Sequence, residues 1–285
     1  MHKSLVTLVV AGCFLFLPMH QVNAGSKYMW NLSKIGVTKT MHKNARKRGT
    51  NVKVGVIDGL AYCSHKELKG RCTAWVFSKG TYTAYDDHGT HVATTIAAKN
   101  TGSGGMVGVA PKAYIHSYGY FDDNGALSDT EETAAIDHAR KKGVRVINMS
   151  YGVNKRVFHR NKLNNISSTK NKNIVFVQAA GNEGIRLRSW LVSFQAYSKL
   201  KNLIIVGALK KNGKIDTRYS NRPGEGCFKT RGKDCKNKNK FKYFFVVAPG
   251  TNIYAGVSNG GYKQETGTSM AAPHVTGVVA LLQGY

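Results

Sequence analysis

Acidic residues are scarce in this 285-residue sequence. Asp and Glu number 15 against 42 Lys and Arg, a formal net charge of +27. A field of that sign draws polyanions: nucleic acid, acidic glycans, anionic membranes or acidic proteins. It is equally the mark of a soluble surface with a general basic habit, because the cations are spread along the whole chain. Their densest run, Lys229 to Lys242, falls in a Gly/Asn/Lys-rich stretch that reads as a surface loop. No nucleic-acid-binding motif accompanies the charge, so a specific nucleic-acid partner is not expected. Long hydrophobic runs are missing too. The apolar run Leu5 to Leu17 is short of the ~20 residues that cross a bilayer, so no transmembrane anchor is expected. No internal repeat or second-domain boundary is visible. What the chain does have is 42% apolar residues and only 20% charged, enough for a buried core and against disorder.

The same run has a short positive start, Met1-His2-Lys3. It is broken by Pro18, and Val22-Asn23-Ala24 offers the small residues a signal peptidase needs. Residues 1–24 are therefore expected to be a signal peptide and 25–285 one catalytic domain, exported to the periplasm or the exterior. Two other readings compete: a buried N-terminal helix, and a lipoprotein acylated at Cys13. Against the second, Phe14 to Leu17 stays apolar where a lipoprotein turns polar. Beyond Cys13 only four cysteines remain, Cys63, Cys72, Cys227 and Cys235. Their proximity suggests two small disulfide loops, 63–72 and 227–235, among the three connectivities that four cysteines allow. Neither spacing is that of a zinc knuckle.

Short β-branched runs alternate with helical segments. Val52 to Ile57 reads as a buried strand ending at Asp58, followed by strands at Ala113–Ser117, Val144–Met149, Ile174–Ala179, Leu203–Val206 and Phe244–Ala248. Asp129 to Lys142 is an amphipathic helix with acids early, bases late and Gly143 at its stop. Met270 to Gln283 is a second helix, with Pro273 expected in its first turn, where a missing N–H costs nothing. The alternation predicts an α/β fold: a parallel β-sheet with helices on both faces, its site at the carboxyl ends of strands.

Singly, the chemical residues are ambiguous. Gly267-Thr268-Ser269 before a helix is usually an N-cap, His88 and His91 suit a core or a metal, and Asp58 suits a cap. Their order is informative. Val-x-Val-Ile-Asp, His-Gly-Thr-His-Val-Ala, Gly-Asn-Glu-Gly and Gly-Thr-Ser-Met-Ala-Ala-Pro-His-Val follow one another from Val52 to Leu282. The set resembles the subtilisin-like serine proteases, the subtilase or S8 family of peptidases, which use an Asp, His, Ser chain order.

That resemblance implies a three-layer fold and a secreted serine endopeptidase that is a monomer. Asp58 would orient His88, His88 would move the proton, and Ser269 would form the acyl-enzyme. Asn182 and the Ser269 N–H would form the oxyanion hole. It also implies an extended peptide substrate lying between Gly125-Ala126-Leu127 and Ser150-Tyr151-Gly152. Ala179, Ala180 and Gly181 would wall the pocket with Ser150 to Val153. His91 would be structural. The basic surface favours acidic or polyanion-associated substrates.

The sequence departs from the family pattern in several places. Gly59 follows the acid where a hydroxyl residue is usual, and Thr94 replaces a common Gly. Tyr151 stands where a smaller or aliphatic residue is frequent. Asn100 to Gly105 occupies the place of a frequent calcium loop but offers no carboxylate, so calcium is admissible there but not predicted, and no cofactor is required. The stretch between Gly25 and Asp58 is too short for the usual inhibitory propeptide. The sequence stops at Tyr285 where relatives continue, so the expectation is either a minimal natural protein or a fold truncated at the C-terminus. The alternative function is a catalytically silent fold of this type acting as a secreted cationic polyanion-binding protein.

Overall fold

Six residues of which only Lys53 is exposed, Lys53–Asp58, form β1 at the centre of the molecule. The computed structural model describes residues 29–44, 49–77, 84–102, 104–119, 129–151, 160–232 and 234–284. In chain order the other strands are β2 (Cys72–Val76), β3 (Tyr114–Gly119), β4 (Val146–Met149), β5 (Val175–Ala179), β6 (Trp190–Leu191), β7 (Leu203–Leu209), β8 (Phe228–Lys229), β9 (Phe245–Pro249), β10 (Ile253–Gly256) and β11 (Tyr262–Glu265). The helices are α1 (Trp30–Lys34), α2 (Lys39–Asn44), α3 (Asp87–Ala97), α4 (Asp129–Lys141), α5 (Arg160–Ile166), α6 (Phe194–Lys199) and α7 (Thr268–Gln283).

Seven strands make one parallel sheet in the order β2-β3-β1-β4-β5-β7-β9. Its central strands β1, β4, β5 and β7 are buried and largely apolar, as a parallel sheet covered on both faces requires, while the edge strands β2 and β9 are partly exposed. Val54 and Val56 enter one core with Val92, Ile96, Met270 and Ala271 from α3 and α7. Ile57 and Ile147 face the other, with Ile136 of α4 and Leu163 of α5. Strand order reverses between β1 and β4, which opens a crevice beyond their carboxyl ends. Asp58 ends β1 there, and Ser150 follows β4.

The sequence expectation for α/β layering holds, with strand ends shifted by up to three residues, the largest shift being at β7, which runs on from Val206 to Leu209. β2, the β10–β11 hairpin and the β6–β8 pair were not expected. One local expectation is corrected. α7 begins at Thr268, not Met270, which puts Pro273 beyond the first turn. Disulfides join Cys63 to Cys72 and Cys227 to Cys235, with Cα separations of 5.1 and 5.8 Å. Among the described residues no helix is long and apolar enough to cross a membrane. Residues 1–24, with Cys13, lie outside the described residues.

Candidate active site

Asp58 is completely buried and His88 stands in the first turn of α3, its side chain 34% exposed. His88 Nδ1 and Asp58 Oδ1 are 2.6 Å apart, and the Gly59 N–H donates to the same oxygen at 2.8 Å. Burial works against a charged His88. The charge and hydrogen bond of Asp58 outweigh it, Asp86 and Glu265 add to them, and the pKa rises to about 9. Burial pushes the Asp58 carboxyl up while His88 pulls it back down. Asp58 Oδ2 is buried without a hydrogen-bond partner among the described residues.

The structure shows why residue 59 is glycine. A Cβ there would lie 2.3 Å from Asp86 Oδ1, and one on Gly89 would lie 1.9 Å from the Gly59 carbonyl. Asp86 is the N-cap of α3, accepting the Gly89 N–H at 2.8 Å. Ligand-type atoms of Asp58, Asp86 and His88 lie within 4.8 Å of one another. Two of them are the hydrogen-bonded pair, and Asp86 Oδ1 is engaged by its cap. The cluster is an acid–imidazole pair beside a second carboxylate.

Ser269 is the second residue of α7, where a main-chain N–H has no helical acceptor. Its Oγ donates to the Ser150 carbonyl at 2.9 Å. Asn182 sits beside it after β5. Its Oδ1 accepts from the Thr268 N–H at 2.8 Å and the Thr268 hydroxyl at 2.9 Å. With the oxygen so held, Nδ2 is the outward group, and it has no hydrogen-bond partner among the described residues. Gly181 makes the turn into Asn182 at φ +97°, a conformation that favours glycine. Its N–H is held by Thr268 Oγ1 at 3.1 Å.

Ala180 is buried beside this turn, and Gly125, Ala126, Leu127 and Gly152 lie outside the described residues. Tyr151 turns its ring inward, its hydroxyl on Glu132 and its face under Lys162 Nζ at 4.3 Å. Gln178, fully buried in β5, donates from Nε2 to the carbonyls of Tyr151 at 2.6 Å and Met149 at 3.1 Å. Its Oε1 accepts from Lys162 at 3.0 Å, and Lys162 pairs with Glu132 at 3.3 Å. Burial lowers the Lys162 pKa against the pull of Glu132.

Two histidine-helix residues pin the β10–β11 hairpin. His91 Nε2 reaches the Ile253 carbonyl at 2.8 Å, and Thr94 Oγ1 accepts the Gly256 N–H at 2.9 Å. Sequence reasoning missed Glu67, Glu132, Lys162 and Gln178. Only Gln178 carried a signal, a lone amide in an otherwise apolar strand.

The Glu67 carboxylate is buried and gathers the loop at 100–106. It accepts the N–H groups of Asn100 at 2.9 Å and Met106 at 3.2 Å, and the hydroxyls of Thr101 at 2.7 Å and Tyr262 at 2.9 Å. Burial raises its pKa, but those hydrogen bonds outweigh it and the net shift is downward. A cleft of about 1260 Å³ has Glu183, Ile185, Arg186, Arg188 and Arg222 among its walls.

Comparison with known proteins gives these positions a context. The model of the subtilase family, Peptidase S8, matches residues 49–285. Subtilisin DY of Bacillus licheniformis is 32% identical over 236 residues, 82% of this chain and 77% of that protein. Subtilisin E of Bacillus subtilis (strain 168) is 33% identical over 236 residues, and the match covers 56% of its length. The chain thus spans little more than half of some relatives. The fold superposes on the crystal structure of a cold adapted subtilisin-like serine proteinase with a TM-score of 0.63 and 24% identity, covering 90% of this chain and 85% of that one.

The Asp58–His88 pair has a pH signature. The His88 ring is expected to titrate near pH 9 by NMR, and in Asp58→Asn to titrate lower, because its largest upward pull is removed while burial remains. Because the folded pKa is raised, the pair's contribution to stability is complete below the unfolded value and lost as pH rises through about 9. A wild-type titration at 6.5, unmoved by the substitution, would sink this account.

Proposed function

This chain belongs to the subtilase family of serine-type endopeptidases, and from that premise we propose that it hydrolyses peptide bonds with Asp58, His88 and Ser269 as its triad. The observations that carry the reading are the Asp58–His88 hydrogen bond of 2.6 Å, the packing of α3 against α7, and the start of α7 at Thr268-Ser269 beside Asn182. A serine hydroxyl is a weak nucleophile without a base, and a base is effective when an acid fixes its tautomer. Asp58 accepts from Nδ1, which leaves His88 Nε2 to take the proton. The Ser269 hydroxyl swings from the Ser150 carbonyl to His88, loses its proton to Nε2 and attacks the substrate carbonyl. The oxyanion accepts from the Ser269 N–H and Asn182 Nδ2. As the intermediate collapses the C–N bond breaks, Nε2 returns the proton to the leaving amine, and the acyl-enzyme remains. Water, deprotonated by the same base, then releases the acid. Because His88 must be neutral to accept, kcat/KM rises with pH through its pKa.

An extended peptide pairing with Ser150 to Gly152 and Gly125 to Leu127 is the substrate geometry we infer, with Ala180 and Gly181 at the pocket wall. Two disulfides support a chain exported behind residues 1–24. The +27 charge favours acidic side chains on the substrate. No calcium is assigned to the loop at 100–106. Its N–H donors face the Glu67 carboxylate, and the unpartnered Asn100 Oδ1 is one oxygen where calcium takes ~6–8.

A fluorophosphonate probe on purified residues 25–285 is expected to label Ser269, and Ser269→Ala to abolish the label. Folded but unlabelled protein would mean that the triad is not assembled and would put the silent cationic binding protein in first place. Asn182→Ala is expected to lower kcat ~100–1,000-fold with little change in KM. Peptides with acidic residues should be cleaved faster than neutral ones at low salt and lose that advantage at high salt; equal rates at both would remove the acidic preference. A chelator should leave Tm unchanged while Glu67→Gln lowers it. A chelator-dependent Tm would restore an ion to the loop.

A further inference from the structure

An α-helix pairs each N–H with the carbonyl four residues earlier, and proline has no N–H to give. Pro273 lies inside α7, so the carbonyl left without a helical donor is that of Ser269. The gap is filled from outside the helix: the Ser150 hydroxyl donates to the Ser269 carbonyl at 2.8 Å. Ser150 Oγ is itself held by the Asn148 amide, Nδ2, at 2.9 Å. Asn148 Oδ1 in turn accepts from the Thr276 hydroxyl, back on α7, at 2.8 Å.

These bonds form a closed ring from α7 through the end of β4 and back to α7. Its direction is fixed, because Ser150 has one hydroxyl hydrogen and spends it on Ser269, so Asn148 must approach as a donor. Asn148 and Thr276 have no exposure and Ser150 only 2%, so bulk water does not reach the ring to replace a lost partner. The proline ring also crowds the carbonyl four residues back, which favours a partner standing to the side of the helix, where Ser150 is.

We propose that Ser150 is a positioning residue for the Ser269 nucleophile, its hydroxyl standing in for the helical donor that Pro273 lacks. The inference rests on the reading of Ser269 given above and goes beyond it. Ser150 would act at two atoms with separate purposes. Its carbonyl meets the Ser269 hydroxyl and, when substrate is bound, the crevice. Its hydroxyl fixes the Ser269 main chain, and with it the direction of the N–H that receives the oxyanion. The serine at 150 and the proline at 273 are then a matched pair, and each explains the other.

The test is a double-substitution cycle: wild type, Ser150→Ala, Pro273→Ala, and both together, with kcat, KM and Tm measured on a chromogenic peptide amide. Ser150→Ala is expected to lower kcat about tenfold or more, with KM within about twofold, since a buried carbonyl beside the nucleophile loses its donor. Pro273→Ala restores a helical N–H to that carbonyl. The double variant is therefore expected to return to within about threefold of Pro273→Ala alone. If Ser150→Ala does not fold, the comparison of the double variant with Pro273→Ala still decides.

A tenfold loss that persists in the double variant overturns the inference, because the proline would then be irrelevant to the role of Ser150. So does a Ser150→Ala protein with lowered Tm and unchanged kcat, which would make the bond structural only. A wild-type chain that neither labels nor cleaves overturns the reading of the site and this inference with it. An active wild type whose two substitutions act independently overturns the inference alone.

Discussion

A carboxylate with no exposure to solvent has to find a partner or give up its charge. Asp58 is in that position at the end of β1, and much of the surrounding structure follows from it. Leaving an ion unpaired in the interior costs several kcal/mol, so His88 must come to it, and α3 must begin where it does. For α3 to begin there, its first N–H groups need a cap, and Asp86 supplies one. The cap carboxylate then occupies the space beside the backbone at 59, and the helix start crowds against the same segment. Gly59 and Gly89 are the consequence. One buried charge thus accounts for an acid–imidazole pair, a capping acid and two glycines.

The opposite side of the crevice obeys a different rule, that buried main-chain acceptors must be paired. Here the polar groups are uncharged and the partners come from neighbouring elements. Gln178 closes the carbonyls of Met149 and Tyr151, Thr268 takes the oxygen of Asn182, and Ser150 and Ser269 exchange hydrogen bonds. Lys162, the lone buried lysine or arginine among the described residues, is tied to Glu132 and lies behind this wall. The two sides divide the labour: one concentrates charge, the other fixes main-chain direction.

The sequence made the sheet legible wherever a strand is buried on both faces, because β-branched runs such as Val54 to Ile57 have no other use. It was silent for β2, whose residues are half exposed at the sheet edge, and for α5, whose segment Arg-Asn-Lys-Leu-Asn-Asn-Ile is mostly polar. Asp58, His88, Asn182 and Ser269 were legible because their motifs recur in a fixed order. The supporting groups were not. A buried lysine cannot be told from the other basic residues in a chain holding 42 of them. Glu67 and the loop it gathers are separated in sequence, so nothing local announces their contact. Pro273 was misplaced because the helix was started two residues late, an ordinary error of boundary. Here that error hid a hydrogen bond.

The order in which the chain is made adds a consequence. Asp58 belongs to the first strand of the parallel sheet, while Ser269 enters on a helix that follows all of them and packs into the core beneath β4, β5, β7 and β9. A sheet of this kind is built from contacts distant in sequence, which form slowly. Until α7 docks, the pieces of the crevice are separate segments with no common geometry. On the proposed triad, the growing or unfolded chain carries its reacting residues apart from one another, and they meet only when α7 docks.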